Sequence, residues 1–331
     1  MVRLVKISDY NHHNMQLAKP VYDRKGRILL GAGNTIHPKY LEKLKEMGIS
    51  HFLVEDAESN GITLEEMLDM PTWMDAILGL QNVYNQVAAK KPLPLVAVQK
   101  TIGQLISEVK RRKTVLLVPS TSIASELRPY AHAVNVALLS LQVGKAMNYN
   151  DLQLRDLALG AYLHDIGKAI TPEKTKHPEA GFNILRNIHD LSLRSAHVSF
   201  QHHETLDGQG YPRGLKGTAI HEYAQICGAA NMYENLISLR ETPPHEALEA
   251  LMALSGTKYL ESVVKAFVDR IPSYPPGTMV QLNNGEPGIV IRIDTHMQRP
   301  VVRILASGQE ISLTDNPSIM ITELARDSLR L

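Results

Sequence analysis

Two short stretches decide how this chain is interpreted: HDIGK at residues 164–168 and HHETLDGQGYPRGLKG at residues 202–217. The first begins with a His-Asp pair and the second with a His-His pair. Imidazole nitrogens mixed with a carboxylate suit Mn, Fe, Zn or Ni better than Ca or Mg, which prefer all-oxygen ligands. The glycine- and proline-containing loop after the second pair can bring backbone close to a ligand. The combination predicts metal-assisted phosphate chemistry.

Helical periodicity places both pairs at the ends of predicted helices. A helix predicted over Leu152–Leu163 opens at the capping pair Asn150-Asp151 and is closed by the His-Asp pair. Another helix, predicted over about Ser192–Gln201, ends at the His-His pair. Side chains at helix ends in a bundle can converge on one point in the core. The two pairs are therefore candidates for a single metal centre.

Two further histidines lie in helical stretches and are candidate ligands. His177 immediately precedes Pro178, which predicts that it caps a helix running Pro178–Ile188. His132 recurs at helical spacing with apolar residues within Ser125–Tyr149. A histidine on such an apolar face is either a ligand or a core residue whose hydrogen bonds are satisfied. The residues alone leave that choice open.

In these segments the chain resembles the HD-GYP family of bacterial phosphodiesterases, which belongs to the larger HD superfamily. The resemblance covers about residues 125–272. It rests on the order and spacing of four motifs: HDIGK at 164–168, HPEAG at 177–181, HHETLDGQGYPRGLKG at 202–217 and AANMYENL at 229–236. It implies a metal-dependent activity in signal transduction that hydrolyses cyclic di-GMP to pGpG or GMP through a metal-held hydroxide. It also implies two divalent transition-metal ions, with Fe or Mn favoured and Zn or Ni as alternatives.

The resemblance also implies which residues form the site. The implied metal ligands are His132, His164, Asp165, His177, His202, His203 and the residue at position 231. Catalytic roles are implied for Asp165, which would bridge the two metals, and for Lys168, which would reach a substrate phosphate. The implied substrate-binding residues are Lys168, Tyr211, Arg213 and Arg240.

The chain departs from the family pattern at two positions near these ligands. Asn231 stands where the family places its last metal-ligating aspartate, so the site loses one negative charge and one metal is expected to bind more weakly. Arg128, one turn before His132, replaces a glutamate of members with three metals, so a third metal is not expected. Glu234, three residues after Asn231 on one predicted helix, is either a compensating ligand or a solvated side chain.

The replaced aspartate leaves three functions open. The first is hydrolysis of cyclic di-GMP, in which the metals, Lys168 and Arg213 supply local positive charge for the phosphates. The second is a receptor or scaffold that keeps a cyclic di-GMP pocket but turns over poorly. The third is a phosphohydrolase of another nucleotide, because a fold does not determine its substrate. The retained histidines favour the enzyme.

Composition excludes several classes of protein. The 331 residues carry a formal net charge of +1, which provides no overall attraction to nucleic acid or to an anionic membrane. No apolar run reaches the roughly 18 residues of a spanning helix, and the N-terminus has no signal-peptide core. The single cysteine, Cys227, excludes a thiolate cluster, and a buried inert thiol is expected there. We expect a cytoplasmic protein whose partners are a cyclic dinucleotide and, through accessory segments, other proteins.

The sequence predicts a mainly α fold, with an HD-type helical bundle between a small N-terminal α+β module and a small C-terminal β-rich module. The predicted divisions are an accessory module at 1–60, a helical connector at 61–118, the catalytic domain at 119–272 and the β-rich module at 273–331. The helical pattern begins at Leu64. The connector either relays a regulatory input or simply packs onto the bundle.

Short patterned segments define the two flanking modules. The N-terminal strands are predicted at Leu17–Tyr22, Ile28–Leu30 and His51–Val54, around a helix at Pro38–Met47 that ends at Gly48. The C-terminal strands are predicted at Met279–Leu282, Gly288–Ile293, Val301–Leu305 and Glu310–Leu313. The second run predicts a small antiparallel barrel that binds a partner or covers one end of the bundle.

Overall fold

The computed structural model describes residues 3–59, 61–62 and 67–325. Leu64, where the helical region is predicted to begin, lies outside these residues. The chain divides into two compact units. The first unit comprises residues up to Met67, the segment Thr121–Glu126 and residues from Ile271 onward, and the second comprises Leu68–Ser120 and Leu127–Arg270.

The N-terminal part of the first unit is a small α+β fold. Its elements are β1 (Arg3–Lys6), β2 (Gln16–Leu17), β3 (Val21–Tyr22), β4 (Ile28–Leu30), α1 (Pro38–Glu46) and β5 (His51–Glu55). β5 is the middle strand of an antiparallel sheet in the order β1-β5-β2, and β3 pairs with β4. The single strand predicted over Leu17–Tyr22 is wrong. Pro20 interrupts it, because proline has no N–H for a ladder hydrogen bond, and the two halves join different sheets.

The C-terminal part of the first unit is an antiparallel sheet. Its strands are β6 (Met279–Leu282), β7 (Pro287–Arg292), β8 (Val301–Ile304), β9 (Glu310–Ser312) and β10 (Ile321–Leu324), in the order β10-β6-β7-β8-β9. Val280, Val290 and Val302 are fully buried in its core. The predicted barrel is wrong for the described strands, since their pairings leave β10 and β9 as the two ends of an open order. β10 itself was not predicted.

The second unit is helical. Its helices are α2 (Met70–Ala88), α3 (Leu95–Arg111), α4 (Arg128–Ala146), α5 (Asp151–Tyr162), α6 (His177–Leu185), α7 (Leu193–Gln201), α8 (Glu222–Leu239), α9 (Pro244–Met252) and α10 (Glu261–Val268). None of the helices within the described ranges is long and apolar enough to cross a lipid bilayer. The predicted fold class, mainly α with small β-containing modules at both ends, is confirmed.

Local sequence signals explain where the central helices begin and how they pack. Asn150 caps α5 as predicted: its side chain accepts from the Gln153 backbone N–H at 3.0 Å, and the Gln153 side chain accepts from the Asn150 N–H at 3.0 Å. α4 is buried almost all round and packs against α5 and α8, which makes it the central helix of the bundle. His132 is thereby carried into the interior of this unit.

Candidate metal centre

The predicted ligands meet where helices end. The His164-Asp165 pair follows α5, His177 is the first residue of α6, and the His202-His203 pair follows α7. Gly167 allows this convergence, because a Cβ there would lie 2.0 Å from the carbonyl oxygen of His177. No side chain larger than hydrogen fits between the two backbones, so glycine lets the start of α6 approach the His-Asp pair.

Asp165 is the centre of the resulting cluster. Its Oδ1 lies 3.1 Å from His177 Nε2 and 3.6 Å from His202 Nε2, and its Oδ2 lies 3.3 Å from His164 Nε2. Two sets of potential ligand atoms, each set lying within 4.8 Å, share this carboxylate: Asp165, His177, His202 and His203 in one, and His132, His164 and Asp165 in the other. The structure therefore brings together every predicted histidine and the predicted aspartate.

The donor atoms fit metal cations. His164 Nε2 and Asp165 Oδ1 are buried and have no hydrogen-bond partner among the described residues. Buried polar atoms are normally paired, so donors left open in this way are suited to a cation. The outer ring nitrogens are engaged, since His164 Nδ1 donates to the Ala161 carbonyl oxygen at 2.8 Å and His202 Nδ1 donates to that of Ser199 at 2.9 Å. These hydrogen bonds leave each Nε2 lone pair directed at the cluster, as in metal-binding histidines.

The charge states also suit metal binding. Burial raises the pKa of the Asp165 carboxyl, but the surrounding imidazoles, His164 foremost, outweigh it and hold that pKa well below its ordinary value. Burial lowers the pKa of His202 to about 4, against the opposing effect of Asp165. Burial and the neighbouring His202 hold the pKa of His203 far below its ordinary value. An ionised carboxylate and neutral imidazoles are the forms that ligate metals near pH 7.

Position 231 lies in the buried part of α8. Asn231 is 7% exposed, and its Oδ1 accepts a hydrogen bond from Asn235 Nδ2 at 2.8 Å. Its amide oxygen is therefore already engaged within the helix. A neutral amide oxygen that already accepts a hydrogen bond is a weaker metal ligand than a carboxylate.

Glu234 was expected to be either a metal ligand or a solvated side chain, but it is buried and hydrogen-bonded to a histidine. The residue is 1% exposed, and its Oε2 accepts a hydrogen bond from His132 Nδ1. It contributes no atom to either set of potential ligand atoms. Burial raises the pKa of the Glu234 carboxyl, but the charge of His132 outweighs this effect and the net shift is downward. The solvated alternative is wrong, and helical spacing alone carried no signal for the contact with His132.

Two of the predicted substrate-binding residues lie at the cluster. The Lys168 ammonium forms an ion pair with Asp165 Oδ2, and its side chain is 47% exposed. The Tyr211 ring stacks on His203 with centroids 4.4 Å apart, and its hydroxyl is buried with no hydrogen-bond partner in the part of the chain that the structure describes. Both side chains thus present polar groups beside the potential ligands.

The two predicted arginines are placed differently. Arg213 is exposed, and its guanidinium lies over the Phe200 ring, 5.5 Å from the centroid. Arg240 is exposed at the end of α8, nine residues and about 14 Å of helix beyond Asn231.

A residue that sequence reasoning missed holds the loop after the His-His pair. Glu204 is 1% exposed, and its carboxylate accepts backbone hydrogen bonds from Arg213 at 2.8 Å and from Leu215 at 2.9 Å. Gly210 lies so close to the backbone of Glu204 that a Cβ would be 2.5 Å from the Glu204 Cα. The loop is therefore folded back on the helix end, which keeps Tyr211 against the histidines. The sequence signal for this role was the position of Glu204 directly after the His-His pair.

Comparison with known families agrees with this geometry. Residues 115–263 match the sequence profile described as HD domain. This part of the chain therefore carries the sequence pattern of the HD domain family. The match includes all the histidines of the cluster and the shared Asp165, so the family predicted from the motifs is confirmed. Cys227, also inside the match, is buried as predicted, and burial raises the pKa of its thiol well above its ordinary value.

Two curated relatives of this chain share a description. A cyclic di-GMP phosphodiesterase of Pseudomonas aeruginosa is 28% identical over 212 residues, which cover 57% of this chain and 50% of the relative. Another cyclic di-GMP phosphodiesterase, of Thermotoga maritima, is 30% identical over 164 residues, covering 43% of this chain and 45% of the relative. The chain spans about half the length of these relatives.

A solved structure extends the likeness beyond the HD domain. An HDGYP protein of Bdellovibrio bacteriovorus superimposes with a TM-score of 0.53 at 18% identity, covering 81% of this chain and 98% of that protein. At this identity the likeness concerns the fold alone.

Proposed function

We propose that this chain is a metal-dependent phosphodiesterase that hydrolyses cyclic di-GMP. The observation that carries the proposal is the Asp165 carboxylate shared by two sets of ligand atoms. A bridging carboxylate between two histidine groups suits a pair of metals, the arrangement used for in-line displacement at phosphorus. The substrate is proposed from the Pseudomonas aeruginosa and Thermotoga maritima relatives, which are named cyclic di-GMP phosphodiesterases.

The histidines divide between the two proposed metal positions. His177, His202 and His203 would hold one ion, and His132 and His164 the other, with Asp165 common to both. Asn231 would complete the shell with its amide oxygen. Mixed nitrogen and oxygen donors favour Fe or Mn, with Zn or Ni as alternatives. The bound ions would polarise the phosphoryl oxygens and lower the pKa of the attacking water.

The remaining side chains would bind and orient the substrate. The half-exposed Lys168 ammonium can turn from Asp165 to a phosphate oxygen and stabilise the charge that develops there. The buried Tyr211 hydroxyl is a hydrogen-bond donor for the substrate, because the described part of the chain provides it no partner. Arg213 adds a positive charge on the same loop. Arg240 would contact only a distant part of the ligand.

A single preparation tests metal binding and substrate together. The purified chain, stripped of metal and reloaded with Mn²⁺ or Fe²⁺, is expected to convert cyclic di-GMP to pGpG, GMP or both, measured by chromatography. Cyclic di-AMP and a mixed cyclic guanine-adenine dinucleotide, supplied at the same concentration, are expected to react more slowly. Faster hydrolysis of either would move the proposal to that nucleotide.

The structure of position 231 favours one alternative. Because the Asn231 amide oxygen is engaged by Asn235, the metal site that it faces would fill poorly and the chain would act as a cyclic di-GMP receptor. Tight binding of cyclic di-GMP without hydrolysis at saturating Mn²⁺ or Fe²⁺ would select this alternative over the enzyme.

Lys168→Ala is expected to lower kcat/KM for cyclic di-GMP by about a hundredfold, because one preorganised charge at the phosphoryl oxygens is lost. Metal content is expected to stay the same, since lysine is not a ligand. The control is Lys176→Ala, which removes an exposed lysine paired with Glu173 and should leave kcat/KM unchanged. Loss of metal or of helical content in Lys168→Ala would instead assign the lysine a structural role.

The accessory parts complete the proposal. We propose that an accessory module ends at residue 60, a connector at residue 118 and the catalytic domain at residue 272. The N-terminal α+β fold and the C-terminal sheet are proposed contact regions for other proteins. A cytoplasmic location is proposed because the single cysteine provides no disulfide.

A further inference from the structure

A chain of buried hydrogen bonds leads from the metal cluster to α2. His132 Nδ1 donates to Glu234 Oε2, and Asn135 Nδ2 donates to Glu234 Oε1 at 3.3 Å. The indole N–H of Trp73 donates to Asn135 Oδ1 at 3.1 Å. Ser238 adds a hydrogen bond to Glu234 Oε1 at 2.6 Å. The chain joins α2, α4 and α8 inside the helical unit.

The chemistry of each partner determines which group donates and which accepts in this series of hydrogen bonds. An indole nitrogen can only donate, so the oxygen of the Asn135 amide must face Trp73. The amide nitrogen of Asn135 then faces two acceptors, Glu234 and the Val118 carbonyl oxygen at 3.0 Å. The Glu234 carboxylate accepts the ring proton at His132 Nδ1, which leaves the Nε2 lone pair for a ligand.

Burial makes the arrangement rigid. Trp73 is 0% exposed, and Asn135 and Glu234 are each 1% exposed, so water does not replace a lost partner. A buried carboxylate without its partners would carry the full penalty of desolvation. The side chains therefore hold one another in a single orientation, and the His132 ring with them.

We infer that Glu234 is a positioning residue for His132, and that Trp73 and Asn135 hold Glu234 in place. α2 thereby belongs to the metal centre, although it precedes the HD domain match at 115–263. The inference rests on the metal-binding part of the proposed function and not on its substrate. It also assigns Glu234 a role other than that of a ligand replacing the missing aspartate at position 231.

A double-mutant cycle distinguishes a positioning residue from a ligand. Mn²⁺ affinity is measured by calorimetry without nucleotide for Glu234→Gln, His132→Ala and the double variant. Glu234→Gln is expected to weaken Mn²⁺ binding at one site by about 10- to 100-fold, the range for partners of ligating histidines. In the His132→Ala background the same substitution is expected to have no further effect. Full additivity would overturn the inference and make Glu234 a ligand.

The role of α2 in metal binding is tested by Trp73→Phe, which keeps a large apolar ring and removes the indole N–H. It is expected to weaken Mn²⁺ binding several-fold in the His132-containing chain, and unchanged affinity would overturn the role of α2. The matched control is Thr114→Val, which removes a buried hydrogen bond to Gln142 on the same α4. That control is expected to leave Mn²⁺ affinity unchanged. Because no nucleotide is present, these results are independent of whether cyclic di-GMP is hydrolysed.

Discussion

Asp165→Ala is expected to remove both metal ions and to abolish hydrolysis of cyclic di-GMP. The carboxylate is 4% exposed and is the only group common to the two sets of ligand atoms found among the described residues. Without it, the three neutral imidazoles at one position and the two at the other lack the negative charge that offsets a dication. Metal analysis of the purified variant should give less than one ion per chain, and turnover should fall below detection. Helical content, measured by circular dichroism, should remain largely intact.

The control for this variant is Asp156→Asn. Asp156 is a buried aspartate on the same α5, 8% exposed, and it supplies no atom to either ligand set. We expect it to keep metal content and turnover, even where its thermal stability falls. An Asp165→Ala protein with unchanged metal stoichiometry would contradict the bridging role and the division of histidines built on it.

Local signals were sufficient for the helices that carry the ligands. The α5 boundary follows from the Asn150 capping box, and the pairs at 164–165 and 202–203 close helices as predicted. Because the five ligands at positions 164, 165, 177, 202 and 203 sit at helix ends, correct helix boundaries and one known family pattern were enough to predict most of the cluster. Its geometry then depended on close backbone approaches such as that at Gly167, which the sequence shows only as a glycine.

Long-range contacts could not be predicted in the same way. Trp73 contacts Asn135 across 62 residues, and His132 contacts Glu234 across 102 residues. The periodicity of the sequence does not show which face of α8 packs against α4. The sequence therefore offered only two interpretations of Glu234, a solvated side chain or a metal ligand. Hydrophobic periodicity predicts that a side chain is buried, but the partner of a buried polar side chain is set by tertiary packing.

The predicted C-terminal barrel was wrong for a different reason. Ile321–Leu324 is short and has only partly buried or exposed residues, so its alternation is weak. Its pairing with β6 also contains a register shift between Ile321 and Glu323. A missed edge strand changes the expected closure, because closure of a barrel depends on the pairing of the first and last strands.

Asn231→Asp is expected to raise both metal affinity and turnover, and it decides between enzyme and receptor. The substitution adds a negative charge at a buried position, where Coulomb attraction to a nearby dication is only partly screened. Metal affinity at the weaker site should rise by about tenfold or more, which corresponds to about 1.4 kcal/mol or more. The wild-type chain should accordingly hold less than two metals as isolated, and its activity should depend on added Mn²⁺ or Fe²⁺.

The control is Leu239→Asp, which adds the same charge about two turns along α8 at an exposed position that takes no part in the hydrogen bond between Asn231 and Asn235. A general electrostatic effect of an added carboxylate on α8 would act in both variants, whereas ligation acts only at position 231. Metal titration and cyclic di-GMP hydrolysis are measured on both proteins. If Asn231→Asp gains metal but no turnover, the chain is a receptor whose pocket no longer aligns the phosphate. If it gains neither, position 231 does not face the metals, and the weakness of the site must arise from another residue.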